Sequence, residues 1–319
     1  MNTFFLDRLN SEPHALAFAG QSTPWPVALA DQSANPALDE ALHTHAAAAQ
    51  ALLYPVSAEL LATTGRPVDL FGFEPNPARL GAAAAASASV PGIALTQLGA
   101  LLDAAALGYN PAQAKPVVVL GHSQGVLAVH MVQAICEAGS IDAAAAKIDE
   151  ILAIATLIGV AGTRQARQLG LAARHGEATP MLSVKDITRA QVDALIERVD
   201  GARGPIAVAV TNSATHYVLS GYPEDLAAFG VEVAKEHKRQ AKLREEKVRG
   251  GRVFDPTLEY LDVTLPFHSP LMADAVSQAV AWAEACGINA DHARELAAEV
   301  LLNHVDWAAR VRALMKSRQ

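Results

Sequence analysis

The hydrophobic pattern of the chain predicts an α/β protein. Apolar residues run without interruption over Ala15–Ala19 and Pro116–Leu120, and the second run is rich in β-branched residues. Short continuous apolar runs of this kind are typical of buried parallel strands. Between them, Asn35–Leu61 and Ile93–Leu107 are rich in Ala and Leu with few β-branched residues, which predicts helices. We therefore expect helices packed on a parallel sheet.

Helical spacing continues after the second predicted strand. It covers Val126–Cys136 and then two further stretches, Asp142–Leu157 and Gly159–Leu171. The segment between the strand and the first of these helices is short and contains two glycines. The sequence thus predicts a strand, a tight turn and a helix around residues 121–125.

The pattern changes at about Thr179. Four strand-like segments, MLSVKDI, IAVAVTNS, HYVLSGY and LEYLDVTLPF, alternate with two helical ones, ITRAQVDALIERV and PEDLAAFGVEVAKEHKRQAKL. The order strand, helix, strand, strand, helix, strand is the split βαβ pattern of a ferredoxin-like domain. We therefore predict a small inserted domain at residues 179–265, with residues 1–178 and 266–319 forming the large domain.

Composition and charge restrict the classes of partner. The 319 residues carry a net charge of −8, which gives no general attraction to nucleic acid or to an anionic membrane. The longest apolar runs, around 80–98 and 151–162, are interrupted by Pro91 or are too short to span a bilayer. The N-terminus lacks the pattern of a secretory signal, so we expect a cytoplasmic protein without a membrane segment. Cys136 and Cys286 lie far apart in helical stretches, which predicts buried, reduced thiols and neither a disulfide nor a metal site.

One motif carries chemistry. Gly121-His122-Ser123-Gln124-Gly125 stands between the predicted strand and a predicted helix, which is the context of a nucleophile elbow. The glycines two residues before and after the serine allow a tight turn that exposes the Ser123 hydroxyl. The N-terminus of the following helix favours negative charge near that oxygen. We predict Ser123 to be a nucleophile.

A serine nucleophile needs a base and two hydrogen-bond donors. Of the 11 histidines, His268 is favoured as base because flanking prolines hold it on a rigid loop after the last strand of the small domain. The neighbouring His122 should point away from the serine. For the anionic intermediate, the backbone N–H groups of Gln124 and Gln21 are the candidate donors, the second from the turn after the first strand.

These segments together resemble the acyltransferase family that loads acyl carrier proteins in fatty acid and polyketide synthesis. Four landmarks carry the resemblance: Gly20-Gln21, the GHSQG segment 121–125, the segment FHSPLM at 267–272, and Asn303-His304-Val305-Asp306-Trp307. The family's fold is an α/β-hydrolase-like large domain with a ferredoxin-like small domain. Its members use a Ser–His dyad in which a backbone carbonyl orients the histidine.

The resemblance implies roles for further residues. The orienting carbonyl maps to Asn303, and Asp262, which is close to His268 in sequence, is the alternative. Gly20, His122, Ile158 and Phe267 are expected to line the substrate site.

The position of Ile158 bears on the acyl group. Malonyl-selective members carry an arginine there, which pairs with the free carboxylate of the substrate. An isoleucine cannot replace the hydration of a carboxylate, but it can line a pocket for a methyl group. On a continuous helix, Arg164 and Arg167 would lie roughly 240° and 180° around the axis from Ile158, so neither could substitute.

Gln124, Ile158 and the basic insertion before the last small-domain strand are similar to the acetyltransferase domain of type I fatty acid synthases. This implies acetyl transfer from acetyl-CoA to the phosphopantetheine thiol of acyl carrier protein through an ester on Ser123, priming fatty acid synthesis. No bound cofactor is expected, and the partners would be acyl carrier protein, acetyl-CoA and other domains of the synthase. The alternatives are a malonyl-CoA:ACP transacylase, a serine esterase or thioesterase, and a non-catalytic scaffold.

One charged segment is left over by these assignments. Residues Lys235–Arg252 hold eight basic side chains and three acidic ones in an otherwise acidic protein. A solvated helix and loop is one interpretation. The other is a docking surface for an acidic partner such as a carrier protein.

Overall fold

The computed structural model describes residues 8–20, 24–70, 86–171, 178–245 and 254–316. The chain divides into two compact units, the first formed by residues 1–164 and 274–300 and the second by residues 165–273 and 301–319.

The first unit is mainly helical with a short parallel sheet. Its elements, in chain order, are β1 (Ala15–Phe18), α1 (Trp25–Ser33), α2 (Pro36–Leu52), α3 (Ser57–Thr64), α4 (Ala86–Ala106), α5 (Pro111–Ala114), β2 (Val118–Gly121), α6 (Val126–Ala138), α7 (Ala145–Gln168), α10 (Ala273–Ala285) and α11 (Ala290–Ala297). Helix α7 ends four residues inside the second unit, and α10 begins at Ala273, the last residue of that unit's first segment.

The two predicted strands of this unit are confirmed. Strands β1 and β2 pair in parallel, with Phe18 opposite Gly121. The observed bounds differ from the predicted ones by one or two residues, because Ala19 and Pro116 lie outside the ladder. The α/β class predicted from the pattern is therefore observed.

Helix α4 forms the centre of the first unit. Most of its side chains are buried, and the ring of Trp25 packs where a Cβ on Gly92 would stand, about 2.4 Å from the nearest ring atom. Pro91 does not interrupt it, since the helix runs through this residue. Within the described residues, α4 is long and apolar enough to cross a membrane, but 72% of its most apolar window is buried inside the protein, as in a core helix.

Helix α7 corrects one expectation from the sequence. The pattern predicts two helices, divided near Leu157 and Gly159, but the structure has a single helix from Ala145 to Gln168. Gly159 remains helical and serves close packing: a Cβ there would stand 2.3 Å from the carbonyl oxygen of Ala86. The helix therefore continues unbroken from Ile158 to Arg164 and Arg167.

The second unit is built on a five-stranded sheet. Its elements are β3 (Met181–Lys185), α8 (Arg189–Ile196), β4 (Ala207–Ser213), β5 (His216–Ser220), α9 (Pro223–Glu245), β6 (Thr257–Tyr260), β7 (Val305–Asp306) and α12 (Trp307–Lys316). The strand order is β6-β3-β5-β4-β7. The four strands β3 to β6 pair antiparallel, and β7 adds to β4 in parallel.

Helices α8 and α9 supply the apolar cover of this sheet. Phe229 on α9 is fully buried and packs with Leu182, Leu219 and Leu226 in one cluster. Helix α8 begins with a capping box, in which Thr188 and Gln191 each bond the other's backbone N–H. The strand–helix–strand–strand–helix–strand order read from the sequence is the order of these elements.

The division into units has other bounds than the predicted domains, since residues 165–178, 266–273 and 301–319 lie in the second unit. The prediction assigns residues 266–319 to the large domain and confines the small one to 179–265. In the structure residues 301–319 lie in the second unit, because Val305 and Asp306 extend its sheet beside β4. An inserted ferredoxin-like domain bounded by residues 179 and 265 stays a prediction.

The prediction of buried thiols is wrong for one cysteine. Cys136 is exposed and Cys286 is partly buried, and both are unbonded to another cysteine. Cys136 lies near the end of α6.

Part of the basic segment is helical. Helix α9 extends to Glu245, and residues 246–253 lie outside the described residues. Within the helix, the 7% exposed Glu236 accepts hydrogen bonds from Arg198, Arg239 and Gln240. The hydrogen bond from Arg239 is the main cause that lowers the pKa of Glu236 to about 2. Glu236 and Arg239, two charged residues of this segment, therefore form an ion pair with each other within the second unit.

The Glu236 cluster predicts a pH-dependent stability. Its folded pKa is depressed, so its contribution is complete above the unfolded pKa near 4.5 and is lost as pH falls towards about 2. We expect Glu236→Gln to lower the free energy of unfolding by about 2 kcal/mol at pH 7, with the difference from wild type narrowing below about pH 5. Urea titrations between pH 4 and pH 7 measure this.

The matched control is Glu259→Gln, which removes an exposed carboxylate 3.3 Å from Lys185. Exposed pairs contribute little, so this change should cost less than about 1 kcal/mol at every pH. Equal losses in the two variants would contradict the role given to Glu236.

Candidate active site

The nucleophile candidate lies on a sharp turn between a strand and a helix. Strand β2 ends at Gly121, residues Ser123–Gly125 form a single 3₁₀ turn, and α6 begins at Val126. Ser123 has a φ of 53°, a left-handed conformation that is uncommon for a residue with a side chain. Strain of this kind is held by the surrounding structure and clusters at functional sites. The geometry is that of a nucleophile elbow.

Close backbone approaches explain the glycines of the motif. A Cβ on Gly121 would stand 2.4 Å from the backbone nitrogen of Val126, and one on Gly125 would stand 2.3 Å from the carbonyl oxygen of Phe18. Both distances are shorter than side-chain carbons tolerate, so no larger residue fits without movement of the backbone. The turn is also tied to β1, because His122 N–H donates to Phe18 O at 2.9 Å.

The end of β1 forms one wall beside the nucleophile. A Cβ on Gly20 would stand 2.6 Å from the His122 carbonyl oxygen, 2.9 Å from Ser123 Cβ and 3.1 Å from Gln124 N. Gln124, whose N–H is a predicted donor, is fully buried in the turn. Gln21, the other predicted donor, lies outside the described residues.

Sequence reasoning missed one polar residue at this wall. Gln97, in the middle of the apolar helix α4, donates from Nε2 to the carbonyl oxygen of Ala19 at 2.6 Å. The signal available in the sequence was a lone glutamine in a run of Ala, Leu and Ile, since a buried amide must be matched by a partner.

The base candidate lies on a well-anchored loop of the second unit. His268 has a φ of 57° and is 2% exposed. The next residue, Ser269, donates its N–H to Leu301 O at 3.0 Å and caps the short turn Pro270–Met272 with its hydroxyl. Gln165 at the end of α7 donates to Leu271 O at 3.3 Å. These bonds fix the backbone on both sides of the imidazole.

The imidazole is oriented by a backbone carbonyl. His268 Nδ1 lies 2.8 Å from the carbonyl oxygen of Asn303, and a carbonyl can only accept, so Nδ1 carries the proton. The neutral ring then holds its lone pair on Nε2, the atom that a general base uses. The contact is with Asn303, as the resemblance implies, and Asp262 is exposed at the surface. Asn303 follows a π-helical turn, Ala298–Leu302, which ends just before it.

The specificity candidate is buried. Ile158 is completely buried in α7, whereas Arg164 and Arg167 on the same helix are exposed. Arg164 donates to Gln278 at 2.9 Å and lies over the ring of Trp282 at 5.9 Å. The unbroken helix therefore keeps both arginines away from the face of Ile158.

The remaining candidates are distributed between the units. Gly20 and the half-buried His122 lie beside Ser123 in the first unit, and the buried Phe267 precedes His268 in the second. The roles given to these side chains stay predictions. Among the residues that the structure describes, no group of three or more His, Cys, Asp or Glu side chains is arranged to hold a metal ion.

Comparisons with known proteins show what the chain is similar to. A family model described as the fatty acid synthase central AT domain matches residues 180–260. The fatty acid synthase beta subunit hexB of Dothistroma septosporum is 27% identical over 51% of this chain and 9% of its own length. The fatty acid synthase subunit beta of Schizosaccharomyces pombe is 27% identical over 59% of this chain and 10% of its own length. The chain thus spans about a tenth of these relatives.

A solved structure identifies the fold. The malonyl CoA-acyl carrier protein transacylase from Clostridium perfringens superposes with a TM-score of 0.60 at 17% identity, covering 96% of this chain and 84% of that one. The fold is therefore that of the transacylases that share this α/β architecture.

The sequence matches add a relationship to fatty acid synthases. The family model describes an AT domain of fatty acid synthase and the curated relatives are fatty acid synthases, so the chain is related to the acyltransferase domain of these proteins. The resemblance read from the four motifs is confirmed.

The close approach of Gly20 to the nucleophile turn predicts the effect of adding one methyl group at this position. We expect Gly20→Ala to slow phosphonylation of Ser123 by a fluorophosphonate at least about tenfold, because the new Cβ displaces the backbone of His122 and Gln124. Intact mass spectrometry of timed samples measures the rate.

Gly230→Ala is the control substitution, since among the described residues a Cβ there meets only Leu258 Cδ1, at 3.7 Å. It should leave the labelling rate unchanged. Wild-type labelling in Gly20→Ala would show that the close approach has no bearing on Ser123.

Proposed function

We propose that this protein transfers an acetyl group from acetyl-CoA to the phosphopantetheine thiol of an acyl carrier protein, through an ester on Ser123. One observation carries the proposal: a serine on a strained strand–helix turn occurs in the same chain as a histidine whose Nδ1–H donates to a backbone carbonyl. The relation to fatty acid synthase acyltransferase domains supports the reaction class.

The first half-reaction acylates the serine. His268 Nε2 takes the proton of Ser123 Oγ while this oxygen attacks the thioester carbon. The carbonyl oxygen becomes an oxyanion, which the Gln124 N–H and the N-terminus of α6 stabilise. The carbon–sulfur bond then breaks, and the coenzyme A sulfur receives the proton from His268.

The second half-reaction regenerates the serine. The phosphopantetheine thiol loses its proton to His268 and attacks the ester carbon. The carbon–oxygen bond to Ser123 breaks, and His268 returns the proton to Oγ. The Asn303 carbonyl keeps the imidazole in one tautomer through both steps. This is the role of the carboxylate in a Ser–His–Asp triad.

The choice of acetyl depends on Ile158. Its apolar side chain offers no partner to the free carboxylate of a malonyl group, and the exposed arginines of α7 are on other faces of the helix. The rival is malonyl, because the structural relative is named a malonyl transacylase.

The proposed reaction implies a donor, a location and neighbouring domains. Its donor is a coenzyme A thioester, and we expect no bound cofactor for this chemistry. We place it in the cytoplasm, alongside the other domains of a type I fatty acid synthase.

A competition experiment tests the reaction and the acyl group together. Incubation with equal acetyl-CoA and malonyl-CoA should add an acetyl mass to wild type and no mass to Ser123→Ala, because the ester forms on this hydroxyl. Intact mass spectrometry followed by peptide mapping locates the adduct. Addition of holo acyl carrier protein should then remove the acetyl group from the enzyme and place it on the carrier.

Each failure has a distinct meaning. A dominant malonyl adduct would overturn the acetyl assignment, and rapid release of acetate without a thiol acceptor would indicate a hydrolase. An adduct on Ser123→Ala would reject the nucleophile.

A substitution at Ile158 tests the source of the specificity. We expect Ile158→Arg to raise the ratio of malonyl to acetyl adduct by at least about tenfold, because a guanidinium pairs with the malonyl carboxylate in bidentate fashion. The ratio of the two adduct masses measures this directly.

Ile158→Met is the control, since it keeps an apolar side chain of similar volume. It should retain the wild-type ratio. Because Ile158 is fully buried, thermal unfolding is recorded for both variants, and Ile158→Gln serves where the arginine variant does not fold. An unchanged ratio in folded variants would remove Ile158 from the acyl pocket.

A further inference from the structure

Gln97 makes an unusual contact for a core residue. It is 7% exposed in the middle of α4, and its Nε2 lies 2.6 Å from the carbonyl oxygen of Ala19. Ala19 directly follows β1 and precedes Gly20. The side chain therefore reaches the segment that forms the wall beside Ser123.

Chemistry fixes the orientation of this amide. A carbonyl oxygen only accepts, so the NH₂ group must face Ala19 and Oε1 must face the other way. Within the part of the chain that the structure describes, Oε1 is buried and has no hydrogen-bond partner. A buried unpaired acceptor destabilises the fold, so this amide gains one hydrogen bond while another group goes unsatisfied.

The peptide that receives this bond is confined on its other side by the elbow. Helix α4 packs against the turn Ser123–Gly125. A Cβ on Gly125 would stand 3.0 Å from Ala19 O, and a Cβ on Gly20 would stand 3.1 Å from Gln124 N. The Ala19–Gly20 peptide is therefore clamped between the Gln97 amide and the nucleophile turn.

We propose that Gln97 is a positioning residue for the oxyanion hole. Its hydrogen bond sets the rotation of the Ala19–Gly20 peptide, and this rotation sets how closely Gly20 lies against Ser123 and the Gln124 N–H. The inference deepens the proposed function, since it assigns a role within the same site. It requires only that Ser123 react through an oxyanion, whichever acyl group is used.

The competing explanation is that Gln97 merely ties two parts of the core together. The chain offers a matched residue for this comparison. Gln32 donates from Nε2 to Thr96 O on the same helix at 2.9 Å, and its Oε1 is likewise buried without a partner in the described structure. A Cβ on Gly99 would stand 2.4 Å from this Oε1. The carbonyl that accepts the bond from Gln32 belongs to α4 itself. The two glutamines thus make the same kind of bond, but only Gln97 bonds the segment beside Ser123.

The test compares Gln97→Met with Gln32→Met, because methionine keeps the length of glutamine and removes the donor. The probe is a fluorophosphonate, which reacts with Ser123 without any acyl donor. Three quantities are measured in the full chain: the rate of phosphonylation by intact mass, the ³¹P chemical shift of the adduct, and the melting temperature. The chemical shift reports hydrogen bonding to the phosphonyl oxygen, which a loss of core stability alone does not move.

We expect Gln97→Met to slow phosphonylation roughly tenfold and to change the ³¹P shift, since a displaced oxyanion hole binds the phosphonyl oxygen less well. Gln32→Met should keep the wild-type rate and shift, with a comparable loss of melting temperature. Wild-type values in Gln97→Met, or equal slowing in Gln32→Met, would overturn the inference.

The outcome is separable from that of the proposed function. Wild type that is phosphonylated at Ser123 but takes no acetyl from acetyl-CoA would reject acetyl transfer, and the comparison of the two glutamines would still decide the role of Gln97. Wild type that is not phosphonylated would overturn both.

Discussion

The contact between the end of β1 and the nucleophile turn is the constraint on which the first unit depends. The His122 N–H donates to Phe18 O at 2.9 Å, and Gly20, Gly121 and Gly125 leave no room for a side-chain carbon at this junction. Because the backbone of one strand closes over the turn that follows the other, the left-handed conformation of Ser123 is held in place. The helix α4 then fills the space behind this junction, and its one glutamine reaches the same segment.

In the second unit, a backbone contact holds the imidazole of His268 in one tautomer. Two backbone carbonyls, those of Leu301 and Asn303, accept from Ser269 N–H and His268 Nδ1–H. Since Val305 and Asp306 are hydrogen-bonded into the sheet beside β4, the segment that supplies these carbonyls is anchored by the sheet itself. Although it has only two residues, strand β7 thus anchors the segment whose carbonyls hold the His268 loop.

The sequence predicted most strongly what depends on local pattern. The strands at Ala15 and Val118, the elbow glycines and the loop around His268 follow from apolar runs and from the steric limits of a tight turn. It failed where the outcome depends on packing between distant segments. Gly159 suggested a break in α7, but the glycine is needed for close approach to Ala86 and stays helical. Strand β7 was missed, because a parallel pairing of two residues is too short a run to be read as a strand. Gln97 belongs to no sequence motif that we recognised, because its side chain contacts Ala19, almost eighty positions away along the chain.

The complete burial of Ile158 has a consequence for how this site can evolve. A cationic side chain at this position would be desolvated whenever no anionic ligand accompanied it, so the ligand-free protein would carry an unpaired charge in its interior. Under the role proposed for Ile158, a change of acyl preference at this position therefore lowers the stability of the ligand-free protein before it improves turnover of the new substrate. Lineages that cross this barrier should accumulate compensating substitutions in the core around α7 first, and such substitutions would be selectively silent until the arginine arrives.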